Sequence, residues 1–114
     1  MPPASHPLVS RLKDEGACRH AALIEEGVEC SLIACRINDS TILLAAVALP
    51  DKRYVKAVPE DCIPSTMWSC NALFYTPYGV YVYADTWHDV ARRLKEKTER
   101  LMAQERICLE KTSE

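Results

Sequence analysis

The 114-residue sequence lacks several features that define whole classes of protein. It has only three glycines, without a period, which excludes a collagen-like chain and the glycine-rich loops that bind phosphates or dinucleotides. No apolar run approaches the roughly 20 residues that a transmembrane helix needs. A formal net charge of −2 argues against a domain that coats nucleic acid non-specifically. The composition itself, with 48% hydrophobic and 26% charged residues, is typical of one globular domain.

Neither end of the sequence carries a recognisable targeting signal. Residues 1–7 lack the basic segment followed by an apolar segment that marks a secretory signal, so we expect a cytoplasmic protein, in its own cell or in a host. The C-terminal residues contain no prenylation box, and we expect no attachment to a membrane. Both tails are polar, so we expect residues 1–5 and 110–114 to fray from a single domain spanning 1–114.

The sequence contains six cysteines. An even number in a short chain can form a disulfide framework, but that interpretation needs a secretory context. Cys30 and Cys35 lie in an apolar stretch, where free cysteine often behaves as a small buried hydrophobe. We therefore expect reduced, mainly structural thiols.

Metal binding has little support in the pattern of these cysteines. Cys18, His20, Cys30 and Cys35 supply four zinc ligands in principle, but no Cys-x-x-Cys pair occurs, and structural zinc sites usually start from one. Cys30 and Cys35 are also spaced to point to opposite faces of a strand. We expect no metal and no other cofactor.

Apolar spacing and turn residues predict an α+β fold. A short helix over 5–15 has Pro7 in its first turn and ends at Gly16. Strands are predicted over 28–37, 41–49, 53–58, 71–76 and 80–84, while 17–26 is ambiguous between helix and strand and slightly favours strand. Together they predict a mainly antiparallel meander of five or six strands, with the short N-terminal helix and a long C-terminal amphipathic helix packed on it.

Two of these strands differ in their apolar pattern. The run over 41–49 is apolar without alternation, so both its faces should be covered and it should be the central strand. Residues 53–58 alternate between apolar and polar, which predicts a more exposed strand. Residues 59–65, with two prolines and two acidic residues, are expected to form a loop.

No glycine or proline interrupts residues 87–109, where an apolar stripe predicts one amphipathic helix about 35 Å long. Strands of ordinary length span only about 17–20 Å, so the second half of this helix is expected to overhang the sheet. An overhanging apolar stripe needs a partner, such as a second copy of the chain. The residues assigned to this dimer or partner helix are Leu94, Leu101 and Met102.

Seven of the eight aromatic residues lie between Trp68 and Trp87. Tyrosine combines a large contact area with a polar tip and is enriched in binding hot spots. The structural alternative is that these rings pack within the second face of the sheet, since sheets favour aromatic residues. The predicted partner-binding surface combines tyrosines with cations of the C-terminal helix, and consists of Tyr75, Tyr78, Tyr81, Tyr83, Arg92, Arg93, Lys97 and Arg100.

The favoured function is a non-enzymatic protein-binding module. A small inhibitor or adaptor, of the kind common in phages and mobile elements, fits the aromatic strand and the apolar helix, and it acts on an unknown protein partner or as a homodimer. The first alternative is a regulator that binds nucleic acid through the basic helix and stacks bases on its tyrosines. Residues 79–83 loosely resemble the aromatic strand of RNA-recognition motifs, although Tyr78 stands where that motif has a basic residue.

The second alternative is a small thiol-dependent enzyme. Covalent catalysis needs a nucleophile, a base and a group that orients the base. Cys62 or Cys70 with His88 and Asp89 is the arrangement that the sequence offers. No nucleophile motif surrounds either cysteine, so we expect no catalytic residues and no enzyme activity.

Overall fold

The computed structural model describes residues 6–112 of the chain, and the side chains of residues 6–110. The fold is α+β, as the sequence predicts. In chain order its elements are α1 (Pro7–Asp14), β1 (His20–Glu25), β2 (Cys30–Ile37), β3 (Ser40–Ala48), β4 (Arg53–Pro59), α2 (Cys70–Tyr75), β5 (Val80–Ala84), α3 (Trp87–Glu96) and α4 (Thr98–Thr112). Two short 3-10 turns, Glu60–Cys62 and Ser65–Met67, occupy the loop between β4 and α2.

The five strands form an antiparallel sheet in the order β1-β2-β3-β4-β5, which confirms the predicted meander. The ambiguous segment 17–26 contains β1. Asn38 and Asp39 form the turn between β2 and β3, and Asn38 has the positive φ, 54°, that two-residue hairpins require. β3 is the central strand and is buried on both faces, as its unbroken apolar run predicts.

Helices cover both faces of the sheet and create two hydrophobic clusters. On the first face, α1, α3 and α4 pack on residues that include Ile33, Leu44 and Val82. On the second face, α2 and the adjoining loop pack on Leu32 and Leu43. Alternation of side chains along each strand keeps the two clusters apart. The second cluster does not extend over β5, so this part of the second face stays exposed.

The strand expected over 71–76 is wrong, because these residues form helix α2 and end in its cap. The Ser69 side chain caps the helix by accepting a hydrogen bond from the backbone N–H of Ala72 at 3.1 Å. The helix buries Leu73 against the second face of the sheet. The aromatic residues of this segment favour a strand by propensity, but the cap and this burial outweigh that preference.

The expectation that 53–58 is a more exposed strand is also wrong. Val55 and Ala57 are buried on the first face, and Val58 is buried on the second. Even Lys56 is only 2% exposed. Alternation of polar and apolar residues normally indicates that one side of a strand faces solvent. Here α2 and its C-cap residue Thr76 cover that side of β4.

The single helix predicted over 87–109 is two helices, because the chain turns at Lys97 between α3 and α4. The hydroxyl of Thr98 donates to the carbonyl of Lys95 at 2.8 Å, a side-chain bond that competes with a continuous helical ladder. The turn directs Leu101 onto the first-face cluster, where it is fully buried. The overhanging apolar stripe expected from a continuous helix is therefore wrong.

Helix α4 passes the end of the sheet at the β2–β3 hairpin, where the Ser40 hydroxyl donates to the Glu105 carboxylate at 3.0 Å. Residues 110–112, expected to fray, form its last turn. The other tail residues expected to fray, 1–5 and 113–114, lie outside the described residues. Among the helices that the structure describes, none is long and apolar enough to cross a membrane.

All six cysteines form disulfides, so the expectation of reduced thiols is wrong. The pairs are Cys18–Cys35, Cys30–Cys70 and Cys62–Cys108. The first joins the segment before β1 to β2, the second joins β2 to α2, and the third joins a 3-10 turn to α4. Apolar neighbours in the sequence indicated burial correctly for Cys35, whereas Cys30 is only partly buried, and pairing depends on proximity in space, which spacing alone does not show.

Candidate functional site

Four aromatic side chains contact one another on the second face of β4 and β5. This aromatic cluster consists of Tyr54 on β4, Phe74 on α2, and Tyr81 and Tyr83 on β5. The strand register places Tyr54 directly opposite Tyr83. Because side chains alternate along β5, both of its tyrosines lie on this face, while Val82 between them enters the first-face cluster.

A tight turn positions β5 for this arrangement. Gly79 has a positive φ of 97°, and a Cβ atom there would collide with the carbonyl oxygen of Ala57. The chain can therefore approach β4 closely only with glycine at this position. The approach starts the pairing of Val80 with Ala57 and brings the tyrosines of β5 beside Tyr54.

Tyr54 is the centre of the aromatic cluster. Its ring centroid lies 5.9 Å from that of Phe74 and 6.4 Å from that of Tyr83, both in stacked arrangements. The Tyr81 ring lies 5.5 Å away at a tilt of 48°. These separations are those of favourable aromatic pairs. Tyr81 and Tyr83 remain 42% and 52% exposed, so the cluster presents an aromatic surface to solvent.

Buried Lys56 supports the aromatic cluster from below. Its Nζ donates to the carbonyl of Thr76 at 2.9 Å and to the Tyr81 hydroxyl at 3.3 Å, and lies 4.4 Å from the centre of the Tyr81 ring. The Tyr81 hydroxyl in turn donates to the carbonyl of Phe74 at 3.4 Å. These bonds tie Tyr81 to the end of α2 and fix the direction of its ring. At the rim, Nζ of exposed Lys52 lies 5.3 Å from the centre of the Tyr83 ring.

The environment of Tyr54 favours its neutral form. Burial raises the pKa of the Tyr54 hydroxyl above its ordinary value of 10.0, and the hydroxyls of Tyr81 and Tyr83 add to the rise. Tyr54 is therefore uncharged at neutral pH. Its contribution to the cluster is contact area and packing, and it has no acid–base role near neutral pH.

Two cations, Arg93 on α3 and Lys97 in the turn that follows it, cover the outer edge of β5. Nη1 of Arg93 donates to the carbonyl of Tyr83 at 2.8 Å, and Nζ of Lys97 donates to the carbonyl of Tyr81 at 2.9 Å. β5 pairs with β4 alone, so its other side is an edge of the sheet. The structure thus brings together four of the residues predicted as a partner-binding surface: Tyr81 and Tyr83 of β5, Arg93 of α3 and Lys97 at its C-terminal end.

The other predicted surface residues are distributed more widely. Arg92 is exposed and pairs with Asp89 at 3.2 Å, and Arg100 is exposed in the first turn of α4. Tyr78 is half-buried in the turn before β5. Tyr75, 86% exposed, lines a groove separate from the rings described above.

That groove is an apolar depression beside α2. Its volume is about 420 Å³, and the exposed side chains of Met67 and Tyr75 stand at it. It suits an apolar side chain of a partner more than a charged one, because most of its wall is hydrocarbon. Its lining residues are Cys62, Ile63, Pro64, Met67, Ala72, Tyr75, Thr76 and Pro77.

The residues predicted as a dimer or partner helix belong to the core of this chain. Leu94 and Leu101 are buried in the first-face cluster, and Met102 is half-buried against it. Because Leu94 and Leu101 already contact their own sheet, they are not exposed to a second copy. Self-association through these two side chains would require the helices to leave the sheet.

The arrangement considered for a thiol-dependent enzyme is not formed. Cys62 and Cys70 are in disulfides, and His88 instead lies 3.1 Å from the Glu15 carboxylate. The cysteines considered as zinc ligands are also paired with one another or with α2. Within residues 6–112, no group of His, Cys, Asp or Glu side chains is arranged to hold a metal ion.

Sequence analysis missed Tyr54 and Lys56 as members of the site. A signal was present, because alternation along 53–58 places both on one side of that strand. Antiparallel pairing of this strand with 80–84 would have placed Tyr54 and Lys56 opposite the tyrosines. The pairing itself cannot be deduced from the sequence, because the strand predicted over 71–76 would lie between them.

No protein-family model matches this chain, and no curated protein and no solved structure is significantly similar to it.

Proposed function

We propose that this chain is a non-enzymatic protein-binding module, a small inhibitor or adaptor, which contacts its partner through the aromatic cluster. The observation that carries the proposal is the half-exposed pair Tyr81 and Tyr83, whose rings both contact Tyr54 on an uncovered part of the sheet. Aromatic side chains of this kind supply most of the binding energy in many protein interfaces.

Rigidity of the cluster supports this function. The hydrogen bonds from Lys56 to Thr76 and Tyr81 hold one exposed ring in place before any partner arrives. Binding then costs less conformational entropy, because side chains that are already ordered lose little freedom in a complex. The adjacent Tyr83 ring stacks on Tyr54 and lies near Nζ of Lys52.

The disulfides bear on where such a module would act. Three disulfides form and persist in oxidising compartments and are rare in the reducing cytosol. They therefore favour a partner outside the cytoplasm over the cytoplasmic location expected from the sequence. A thiol-dependent activity would require one of these bonds to be reduced first.

The test is capture of partner proteins by the immobilised, oxidised chain and by the variants Tyr81→Ala and Tyr83→Ala. Ile24→Ala is the matched control, since Ile24 is a similarly exposed large side chain on the opposite edge strand. We expect a specific partner to bind the unchanged chain and the control, and to bind at least tenfold less to either tyrosine variant.

Melting temperatures decide how such a loss is interpreted. We expect Tyr81→Ala and Tyr83→Ala to melt within a few degrees of the unchanged chain, because both rings are about half exposed. Unfolding of either variant, or equal capture by all chains, would count against the aromatic cluster as the binding surface.

Nucleic acid is the second candidate ligand, and one observation favours it. The rings of Tyr81 and Tyr83 lie on a sheet surface with the exposed Lys52 at its rim, an arrangement that suits stacked bases beside a phosphate. Titration with single-stranded DNA and RNA at rising salt tests it. Affinity that falls steeply with salt supports this ligand, and absent or salt-independent binding rejects it.

A further inference from the structure

The outer edge of β5 has backbone groups that a further strand can use. The backbone N–H of Leu49 donates to the carbonyl of Lys52, so the carbonyl of Lys52 points toward β3. Along β4, the backbone groups of every second residue counted from Lys52 therefore bond to β3. The backbone N–H and C=O groups of the residues between them, such as Val55, point the other way, toward β5, where Val55 pairs with Val82. Tyr81 and Tyr83, the alternate residues of β5, therefore direct their N–H and C=O groups outward, away from β4.

In the structure, the carbonyls of Tyr81 and Tyr83 already accept hydrogen bonds from two side chains. Lys97, at the C-terminal end of α3, follows Arg93 by about one helical turn, or about 6 Å along the helix axis, and the carbonyls of Tyr81 and Tyr83 are about 6.6 Å apart along the strand. Because these two spacings are similar, both cations can hydrogen-bond to the strand edge at the same time. In sheets generally, charged side chains on an edge prevent unwanted pairing, and they also select the charge of any strand that does pair.

We propose that the outer edge of β5 accepts an extended acidic segment of a partner protein as a sixth strand, with Arg93 and Lys97 turning from the Tyr83 and Tyr81 carbonyls to its carboxylates. The proposal rests on the function proposed above, a protein-binding module, and specifies the mode of binding. Strand addition supplies affinity through main-chain hydrogen bonds and specificity through alternate side chains.

The two faces of the sheet determine which peptide fits. On the first face the added strand would lie beside α3, so its side chains there meet Arg93 and Lys97 and should be acidic. On the second face its side chains would lie beside Tyr81 and Tyr83 and should be apolar or aromatic. The structure therefore favours a segment in which acidic and apolar residues alternate.

A second copy of this chain is the less suitable occupant, because pairing of two β5 edges would bring Arg93 and Lys97 of both copies together. Asp85 and Asp89 lie beside Arg93 and Tyr83, so they oppose an acidic peptide at the Tyr83 end of the edge. Asp89 is held by Arg92 at 3.2 Å and by the Thr86 hydroxyl at 3.2 Å. The other end of the edge, at Tyr81 and Lys97, lies farther from the Asp89 carboxylate, toward the C-terminal end of α3.

The test uses a synthetic seven-residue peptide of alternating glutamate and valine, capped at both ends, and the same peptide with lysine in place of glutamate. The readout is amide hydrogen exchange of the oxidised chain, followed residue by residue by NMR. With the glutamate peptide, we expect exchange of the Tyr81 and Tyr83 amides to slow at least tenfold. The amides of Val80 and Val82 already bond to β4 and should change little.

The double variant Arg93→Gln/Lys97→Gln tests the role of charge. We expect it to stay folded and to bind the glutamate peptide about tenfold more weakly, since each lost charge pair weakens binding severalfold. Arg19→Gln/Arg36→Gln is the matched control, because it removes the same charge from exposed positions beside β1, at the opposite edge of the sheet. The control should bind as the unchanged chain does.

Three results would overturn the proposal. One is that the glutamate peptide leaves the Tyr81 and Tyr83 amides unprotected at millimolar concentration. Another is that the lysine peptide protects them equally well. The third is that they become protected with rising protein concentration and no peptide, which would identify a second copy as the occupant. None of these results touches the capture experiment with Tyr81→Ala and Tyr83→Ala, so failure of the edge and failure of the proposed function are distinguishable.

Discussion

Lys56 donates a hydrogen bond to the hydroxyl of Tyr81, and its Nζ lies 4.4 Å from the centre of the same ring. A lysine that is 2% exposed thus supports a tyrosine that is 42% exposed. Burial of an amine is tolerated when its donors are satisfied, and the carbonyl of Thr76 takes a second bond. The orientation of the proposed binding surface therefore depends on a residue that a partner would hardly touch.

We predict that Lys56→Ala destabilises the protein by about 2–4 kcal/mol, because it leaves a cavity and removes a donor from the Thr76 carbonyl. Lys52→Ala is the control, since Lys52 also lies over a tyrosine ring but is exposed. It should change stability by about 0.5 kcal/mol or less. Urea unfolding of both variants measures the difference, and equal effects would contradict the supporting role of Lys56.

We predict that Leu101→Ala costs about 2–5 kcal/mol, because Leu101 is fully buried between α4 and the sheet. Ile107→Ala, on the exposed side of the same helix, should cost about 0.5 kcal/mol or less. Thermal or urea unfolding distinguishes the two. If Leu101→Ala instead left stability intact and changed the solution mass, the overhanging helix expected from the sequence would be correct after all.

We predict that the oxidised protein has no thiol that reacts with iodoacetamide, since its cysteines pair as 18–35, 30–70 and 62–108. Peptide mapping without reductant identifies the pairs. By the entropy of loop closure, removing Cys30–Cys70 should cost about 4 kcal/mol and removing Cys18–Cys35 about 3 kcal/mol. Labelling of native cysteines, or stability unaffected by reductant, would contradict this pairing.

We predict that Tyr54 makes the protein less stable as the solution becomes alkaline. The pKa of Tyr54 is raised in the folded state above its ordinary value of 10.0, so the unfolded chain loses this proton first. The contribution of Tyr54 is then fully present below pH 10 and declines as pH rises through the raised value. Unfolding free energies measured from about pH 9 to 12 should fall less steeply for Tyr54→Phe. Parallel pH profiles for the two chains would contradict the shift.

Local patterns predicted the elements that depend on neighbours in sequence. Helical spacing, with Pro7 near the start and Gly16 after the end, was enough to place α1. Period-2 alternation placed β5 and the side of its tyrosines, and the Asn38 turn placed the β2–β3 hairpin. These signals act over a few residues, and the tertiary structure reinforces them.

Predictions failed where distant parts of the chain decided the outcome. Segment 71–76 has aromatic residues that suit a strand, but burial of Leu73 under the sheet makes it a helix. The turn at Lys97 breaks a helix that lacks both glycine and proline, and the gain is burial of Leu101. Neither gain is visible without the sheet that receives the side chain.

The sequence by itself determined the α+β class, the antiparallel character of the sheet and the aromatic-rich segment, because periodicity and turn residues are local. Only the tertiary structure decided that Tyr54 and Lys56 complete the aromatic cluster, that Arg93 and Lys97 cover the β5 edge, and that the cysteines pair. Each of these depends on strand register and helix placement, which are fixed by burial summed over the whole sheet.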